Sequence, residues 1–192
     1  MDNKIVISCH ADTGFKNHRL KIDENGDFLG HLDNFVGVYV VMNAYFSGFI
    51  NNPYTRIELT YGEETDMEGA YEVMETLNPN DTVIVVVVTG TPTKSDIVIE
   101  KCSDQNMKKF ITEALSGISF DIYSGCPDPV ADEDECDVYK EKLKKVCFLG
   151  IPCTGGGYNA GMVTTKRKSV DAATQAIIQI VKYFAENESM IT

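Results

Sequence analysis

Three short groups in this chain carry side chains able to hold a cation and move a proton. The first is His10-Ala11-Asp12, the second Gly30-His31-Leu32-Asp33-Asn34, and the third Glu63-Glu64, which closes the run starting at Arg56. Imidazole and carboxylate are the nitrogen and oxygen donors of zinc sites, and a carboxylate left outside the donor set can act as a general base. Together the three groups sketch a two-metal hydrolase centre. Singly each is weak, because a lone His-x-Asp is common in surface turns and adjacent glutamates usually close a solvated strand. Their joint order along the chain carries the reading.

A scaffold must bring these groups together, and the apolar pattern describes one. Short β-branched runs recur at Ile5-Val6-Ile7, 57–61, 83–88, Ile97-Val98-Ile99, 120–123 and 147–151, each followed by turn residues and often by a helical stripe. This alternation predicts an α/β fold, a three-layer sandwich with a mostly parallel mixed sheet between helices. The run 83–88 is apolar on both faces, which places it in mid-sheet. In such sheets ligands gather beyond the carboxyl ends of the strands. His10 and Asp12 follow the first run, Glu63 and Glu64 the second, Val87 ends the third, and Asn159 lies in the glycine-rich loop after Ile151.

The helical stripes are core. Residues 35–46 read as a buried helix starting just after Asn34. Met67, Ala70, Tyr71, Met74 and Leu77 define a surface helix capped by Thr65 or Asp66. Met107, Phe110, Ile111 and Ala114 define a third helix, and Val170, Ala173, Ile177, Val181 and Phe184 a long last one whose first turn is primed by Ser169. Residues 20–28 predict a hairpin turning at Asn25-Gly26. Its acids lack the distal glutamate of a calcium loop. Residues 128–137 form the one long loop.

The 192 residues suit a single domain spanning 1–192, and 43% hydrophobic with 24% charged residues is ordinary for a globular chain. A net charge of -12 excludes a nucleic-acid or anionic-membrane partner and favours cationic ligands. With no basic, apolar leader and no run approaching the ~18 residues of a membrane span, the expected location is the cytoplasm. The six cysteines show no Cys-x-x-Cys pair, so they are expected as free thiols.

The order of these motifs resembles the zinc-dependent exopeptidase superfamily, the co-catalytic dinuclear aminopeptidases and their carboxypeptidase relatives, over most of the chain from His10 to about Phe184. The resemblance implies a phosphorylase/hydrolase-like arrangement in which His10 binds one metal and Asp12 orients its ring. It makes Asp33 the bridging ligand, followed by a cis peptide to Asn34. Glu63 becomes the general base and Glu64 a ligand of the second metal. The acidic segment from 132 to 139 corresponds to a turn near the substrate's amino end, where a negative wall favours a free amino group or a basic side chain.

Two positions depart from that pattern. Val87 stands where the family carries a metal-binding aspartate, and Asn159 where it carries the last histidine. Three of five ligands remain, His31 and Cys153 being the nearby groups able to replace a lost one. Because the paired ions lie only ~3.5–4 Å apart, His10, Asp33 and Glu64 can instead hold a single zinc ion near their midpoint. Without an ion, their crowding should raise at least one carboxylate pKa.

Two readings of function stay open. One is a metal-dependent, aminopeptidase-like exopeptidase with weak or altered activity on peptides. The other is a catalytically inactive relative that binds a peptide, an amine or a partner subunit. The short interval from His10 to Asp33 leaves no room for an inserted lid or dimerisation domain. The chain starts at the strand bearing His10, so the exposed sheet edge is expected to meet a second copy in a homo-oligomer.

Overall fold

The computed structural model describes residues 3–128 and 133–187. The elements run β1 Ile5–His10, β2 Leu20–Ile22, β3 Phe28–Gly30, α1 Phe35–Phe46, β4 Thr55–Thr60, α2 Glu68–Thr76, β5 Thr82–Thr89, β6 Ile97–Glu100, α3 Gln105–Ala114, β7 Phe120–Ile122, α4 Glu135–Lys140, β8 Val146–Thr154, β9 Val163–Thr165 and α5 Arg167–Asn187. Every strand and helix expected from the apolar pattern is present.

The main path of the sheet is β2-β3-β9-β8-β5-β1-β4, with β6 and β7 attached beside β8. The four strands β8, β5, β1 and β4 run parallel, while β9, β3, β2 and β6 join antiparallel. All eight residues of β5 are buried, as a continuous valine run demands when helices cover both faces. Helices α1 and α5 pack on one face, with α3 against α5; α2 and α4 pack together on the other. The result is the expected three-layer α/β sandwich. Strand β4 is the edge of the parallel set, with Leu59 and Tyr61 exposed.

Three local expectations need correction. Helix α2 is capped neither by Thr65 nor by Asp66: its N-cap is Met67, left-handed at φ 60, whose N–H bonds to Gly62 O in a turn that closes the site loop. Of the expected stripe, Ala70 and Leu77 are buried and Met67 and Met74 pack against the core; Tyr71 is exposed instead, and Gly69 and Val73 complete the buried face.

Helix α5 begins at Arg167, two residues before Ser169. The Asp27 carboxylate accepts the Arg167 N–H at 2.8 Å, so the helix start is satisfied from the β2–β3 hairpin instead of from its own sequence. That hairpin turns where expected, with Gly26 at φ 83 and Asp23 Oδ1 accepting from Asn25 N and Asp27 N.

The expected long loop is shorter than read. Residues 129–132 lie outside the described residues, and Asp134 already caps α4 in a reciprocal box with Asp137. All six cysteines are free, five of them buried.

Candidate functional site

The site residues sit at the carboxyl ends of β1 and β4 and on the turns beyond them. His10 is the last residue of β1, paired in register with Thr60 of β4, so the turn after β4 carries Glu63 and Glu64 towards the imidazole. Asp33 arrives from the other side, on the turn between β3 and α1, through a cis peptide bond to Asn34.

Asn34 fixes that turn in three directions. Its Nδ2 donates to Val86 O at 2.9 Å and to Cys9 Sγ at 3.2 Å, while its Oδ1 accepts Gly37 N at 3.2 Å and caps α1. A Cβ on Gly37 would lie 2.3 Å from that Oδ1, so only glycine fits there. Thr13 Oγ1 donates to Asp33 O at 2.9 Å and ties the loop after β1 to the same turn.

At the centre, His10 Nε2 lies 3.3 Å from Asp33 Oδ1 and 3.9 Å from Glu63 Oε2, and His10 Nδ1 lies 3.5 Å from Asp12 Oδ1. One donor atom from each of His10, Asp33 and Glu64 falls within 4.8 Å of the others. The His10 nitrogens, Asp33 Oδ1 and Asp12 Oδ1 are buried with no aligned hydrogen-bond partner among the described residues. Buried polar atoms are normally satisfied, and these four face one another as ion pairs without an aligned hydrogen bond, an arrangement that a cation between them would complete.

Glu64 is brought in by its N–H to Asp12 Oδ2 at 3.4 Å and by close approach of Gly14, where a Cβ would lie 3.0 Å from Glu64 Oε2.

The crowding has the expected electrostatic signature. Burial lifts the Glu63 carboxyl to about 7; His10 opposes the rise, and the charges of Asp33, Glu64 and Glu135 add to it. Burial also raises Glu64, helped by Asp33 and opposed by a hydrogen bond from the Gly14 backbone. For His10, burial disfavours the charged ring, yet Asp33 beside it and the charges of Glu63, Asp33 and Glu135 outweigh that and lift it to about 9. In the metal-free site a protonated imidazole therefore sits where a cation would.

The two substituted positions border the centre without joining the donor group. Val87 is buried, and with Asp33, Glu63, Tyr158 and Asn159 it lines a narrow recess of about 50 Å³. Valine has no lone pair, so this wall offers no ligand. Asn159 is exposed on the loop between β8 and β9.

Neither replacement ligand takes part. His31 Nδ1 accepts from Arg19 N at 3.2 Å, and its ring stacks on Phe15 at 4.3 Å. Burial, with the charges of Asp33 and Asp128, pushes the Cys153 thiol up to about 12, and it lies outside the donor group. Among the described residues one donor group, His10, Asp33 and Glu64, thus fits an ion, and no second group does.

Sequence reasoning missed Glu135. It is buried beneath the site, where Ser8 Oγ donates to Oε2 at 3.1 Å and the Thr60 hydroxyl donates to Oε1. Tyr139 lies 2.9 Å from Ser8 Oγ and completes the network. Burial raises the Glu135 carboxyl, and His10 with the two hydroxyls lowers it. No local signal could have found it: Glu135 reads as one more acid in an acidic segment, more than a hundred residues from Ser8.

No family profile matches the sequence, and no curated protein matches it. Solved structures do. A TET aminopeptidase from the marine sediment archaeon Thaumarchaeota archaeon SCGC AB-539-E09 superposes with a TM-score of 0.69 at 14% identity, covering 86% of this chain and 52% of its own. PhTET1-12s, a dodecamer in the asymmetric unit, gives 0.68 at 13%, covering 84% and 52%. Yeast aminopeptidase 1 gives 0.63 at 12%, covering 88% and 51%. The chain has the fold of these aminopeptidases and spans about half the length of each.

Proposed function

We propose that the chain is a reduced, metal-dependent exopeptidase of the aminopeptidase type that works with one zinc ion. The carrying observation is the set of donor atoms on His10, Asp33 and Glu64, all within 4.8 Å, those of His10 and Asp33 buried without an aligned hydrogen bond. A zinc ion there would make a bound water more acidic and polarise a scissile carbonyl.

The chain's own residues supply the rest. Asp12, facing His10 Nδ1, sets the ring orientation. Glu63, lifted to about 7, is poised to accept a proton near neutral pH and return it to the leaving amine. Asn34 holds Asp33 in place from the far side.

A second reading, a peptide or amine binder without hydrolysis, is favoured by one observation. The buried Val87 side chain occupies the wall where a second ion would need a ligand. The test is calorimetry of zinc on metal-stripped protein with Asp33→Ala as control. Sub-micromolar binding lost in the control supports the metal reading, and no binding in the parent leaves only the second.

The same proposal places a single domain in the cytoplasm as a homo-oligomer. Its supports are the solved dodecamer of PhTET1-12s and, among the described residues, the absence of any helix long and apolar enough to cross a membrane. Sedimentation of the 21.3 kDa chain reads the oligomeric state directly.

A further inference from the structure

The main path of the sheet ends in two open edges, β2 on one side and β4 on the other. On β2, Arg19 O accepts His31 N and Asp23 N donates to Asp27 O, both at 3.0 Å, so the antiparallel alternation turns the N–H and C=O of Leu20 and Ile22 outward. On β4, Tyr54 O accepts Ile5 N and Thr60 O accepts Ala11 N, both at 2.9 Å, so the even-numbered residues face β1 and Ile57 and Leu59 aim their N–H and C=O outward. Each edge therefore offers the same short ladder, two residues spaced by two.

The side chains match as well. Ile22 stands opposite Phe28, whose ring meets Tyr39 of α1, so Leu20 and Ile22 lie exposed on the α1 and α5 side of the sheet. Thr60 reaches Glu135 of α4, so its neighbour Leu59 points to the α1 and α5 side too, and it is also exposed. Lys21 takes the opposite face of β2, with Lys16 and Arg19 exposed just before it in the chain. The opposite face of β4 is flanked by α2, tied on by Arg56 Nη1 to Thr76 Oγ1 at 2.7 Å and exposing Glu68, Glu72 and Glu75. Among the described residues, none of these three cations and three carboxylates has an ion-pair partner.

A lysine on an edge strand normally guards it against pairing. Here the guard is selective. Two β2 edges would bring Arg19 and Lys21 against their own copies, and two β4 edges would bring the α2 carboxylates together. Placing β2 on β4 sets opposite charges face to face on one side of the sheet and Leu20 and Ile22 beside Leu59 on the other.

We propose that the chain associates head to tail, the β2 edge of one copy adding to the β4 edge of the next, so that one sheet continues through both. The assignment rests on the homo-oligomer reading and goes beyond it by naming the two surfaces and by excluding a twofold contact. A heterologous contact of this kind propagates into a ring or an open chain.

The test blocks one edge at a time. Proline at Ile22 or Leu59 removes an outward N–H and leaves the inner ladder bonds in place. At about 50 µM and low salt the zinc-supplemented parent should sediment above 21.3 kDa, falling towards that mass as salt is raised. Ile22→Pro and Leu59→Pro should each be monomeric alone, whereas their equal mixture should form a dimer and stop there, because each variant keeps one edge. Where a proline lowers the melting temperature, Lys21→Glu and the pair Glu68→Lys with Glu72→Lys take its place: each should weaken association alone, and mixing the two should restore it.

Association that survives Ile22→Pro and is lost in Leu59→Pro indicates a twofold β4 contact and overturns the proposal, as does the converse for β2. An oligomer that no variant disturbs leaves the homo-oligomer reading standing and overturns this contact. A parent of 21.3 kDa at every salt concentration overturns both and leaves the two edges to a partner of another sequence.

Discussion

His10 Nε2 and Asp33 Oδ1 stand 3.3 Å apart, both buried, and neither has an aligned hydrogen-bond partner among the described residues. Two polar atoms held this close and left unmatched define where a cation would sit. They also fix the protonation state of the site without one.

Zinc binding should release protons. With His10 lifted to about 9, the ring is protonated at neutral pH and must lose its proton before it can donate to zinc. Apparent affinity should therefore rise about tenfold per pH unit from pH 6 to 8 and level off near 9. Calorimetry in buffers of different ionisation enthalpy reads the proton count; pH-independent binding with none released contradicts the geometry.

Stability of the metal-free protein should move in the opposite sense. Both Glu63, at about 7, and His10, at about 9, titrate above their unfolded values, so the folded state binds more protons than the unfolded one. The stabilisation is complete at low pH, below the ordinary values of each group. It is lost as pH rises through about 7 for Glu63 and about 9 for His10. Melting temperature should fall between pH 6 and 9, and zinc should flatten the dependence; thermal scans across that range decide it.

Restoring the two absent donors should deepen metal binding. Val87→Asp with Asn159→His should bind zinc more tightly than the parent and raise the stoichiometry above one. Because Val87 is buried, the metal-free variant should be destabilised by about 2 kcal/mol or more through an unpaired carboxylate, and zinc should recover that loss. Unchanged affinity would mean that β5 and the loop before β9 do not face the centre as described.

Glu63→Gln should remove any peptidase activity by at least about a hundredfold while zinc affinity changes little, because Glu63 lies outside the donor group. Paired assays of peptide cleavage and zinc binding separate the two roles. Full activity in the variant would exclude Glu63 as the base.

Gly14→Ala tests how Glu64 is placed. The new methyl would lie 3.0 Å from Glu64 Oε2 and displace that carboxylate by a few tenths of an ångström. Zinc affinity should fall several-fold, about 1 kcal/mol, with melting of the metal-free protein nearly unchanged. Loss of both together would indicate a folding defect instead.

The strands and helices were legible because each carries its period within a few residues. Val83 to Val88 announces a covered central strand, and Met107, Phe110, Ile111 and Ala114 announce a helix face. What escaped was long-range. The local sequence points to Ser169 as what primes the first turn of α5, whereas Asp27 accepts the first helical N–H from across the fold. The start of α2 was missed because a left-handed Met67 has no composition signature.

The candidate site divides the same way. His10, Asp33, Glu63 and Glu64 were legible from their order, and the structure brings them together. Asn34 beyond its peptide bond and Glu135 with Ser8 and Thr60 were not, because what they do depends on which strands become neighbours.

The pairing of β3 with β9, and of Asp27 with the first turn of α5, has a consequence for the order in which the molecule assembles. On a growing chain the early hairpin can find its lateral strand and its helix only once synthesis has passed residue 165. Until then the hairpin lacks its lateral strand, while β1, β4 and β5 can associate and hold the turn carrying Asp33 through Asn34 and Thr13. On a nascent chain His10, Asp33 and Glu64 would thus be gathered by contacts that close early, and β9 with α5 would join the hairpin beside a group already in place.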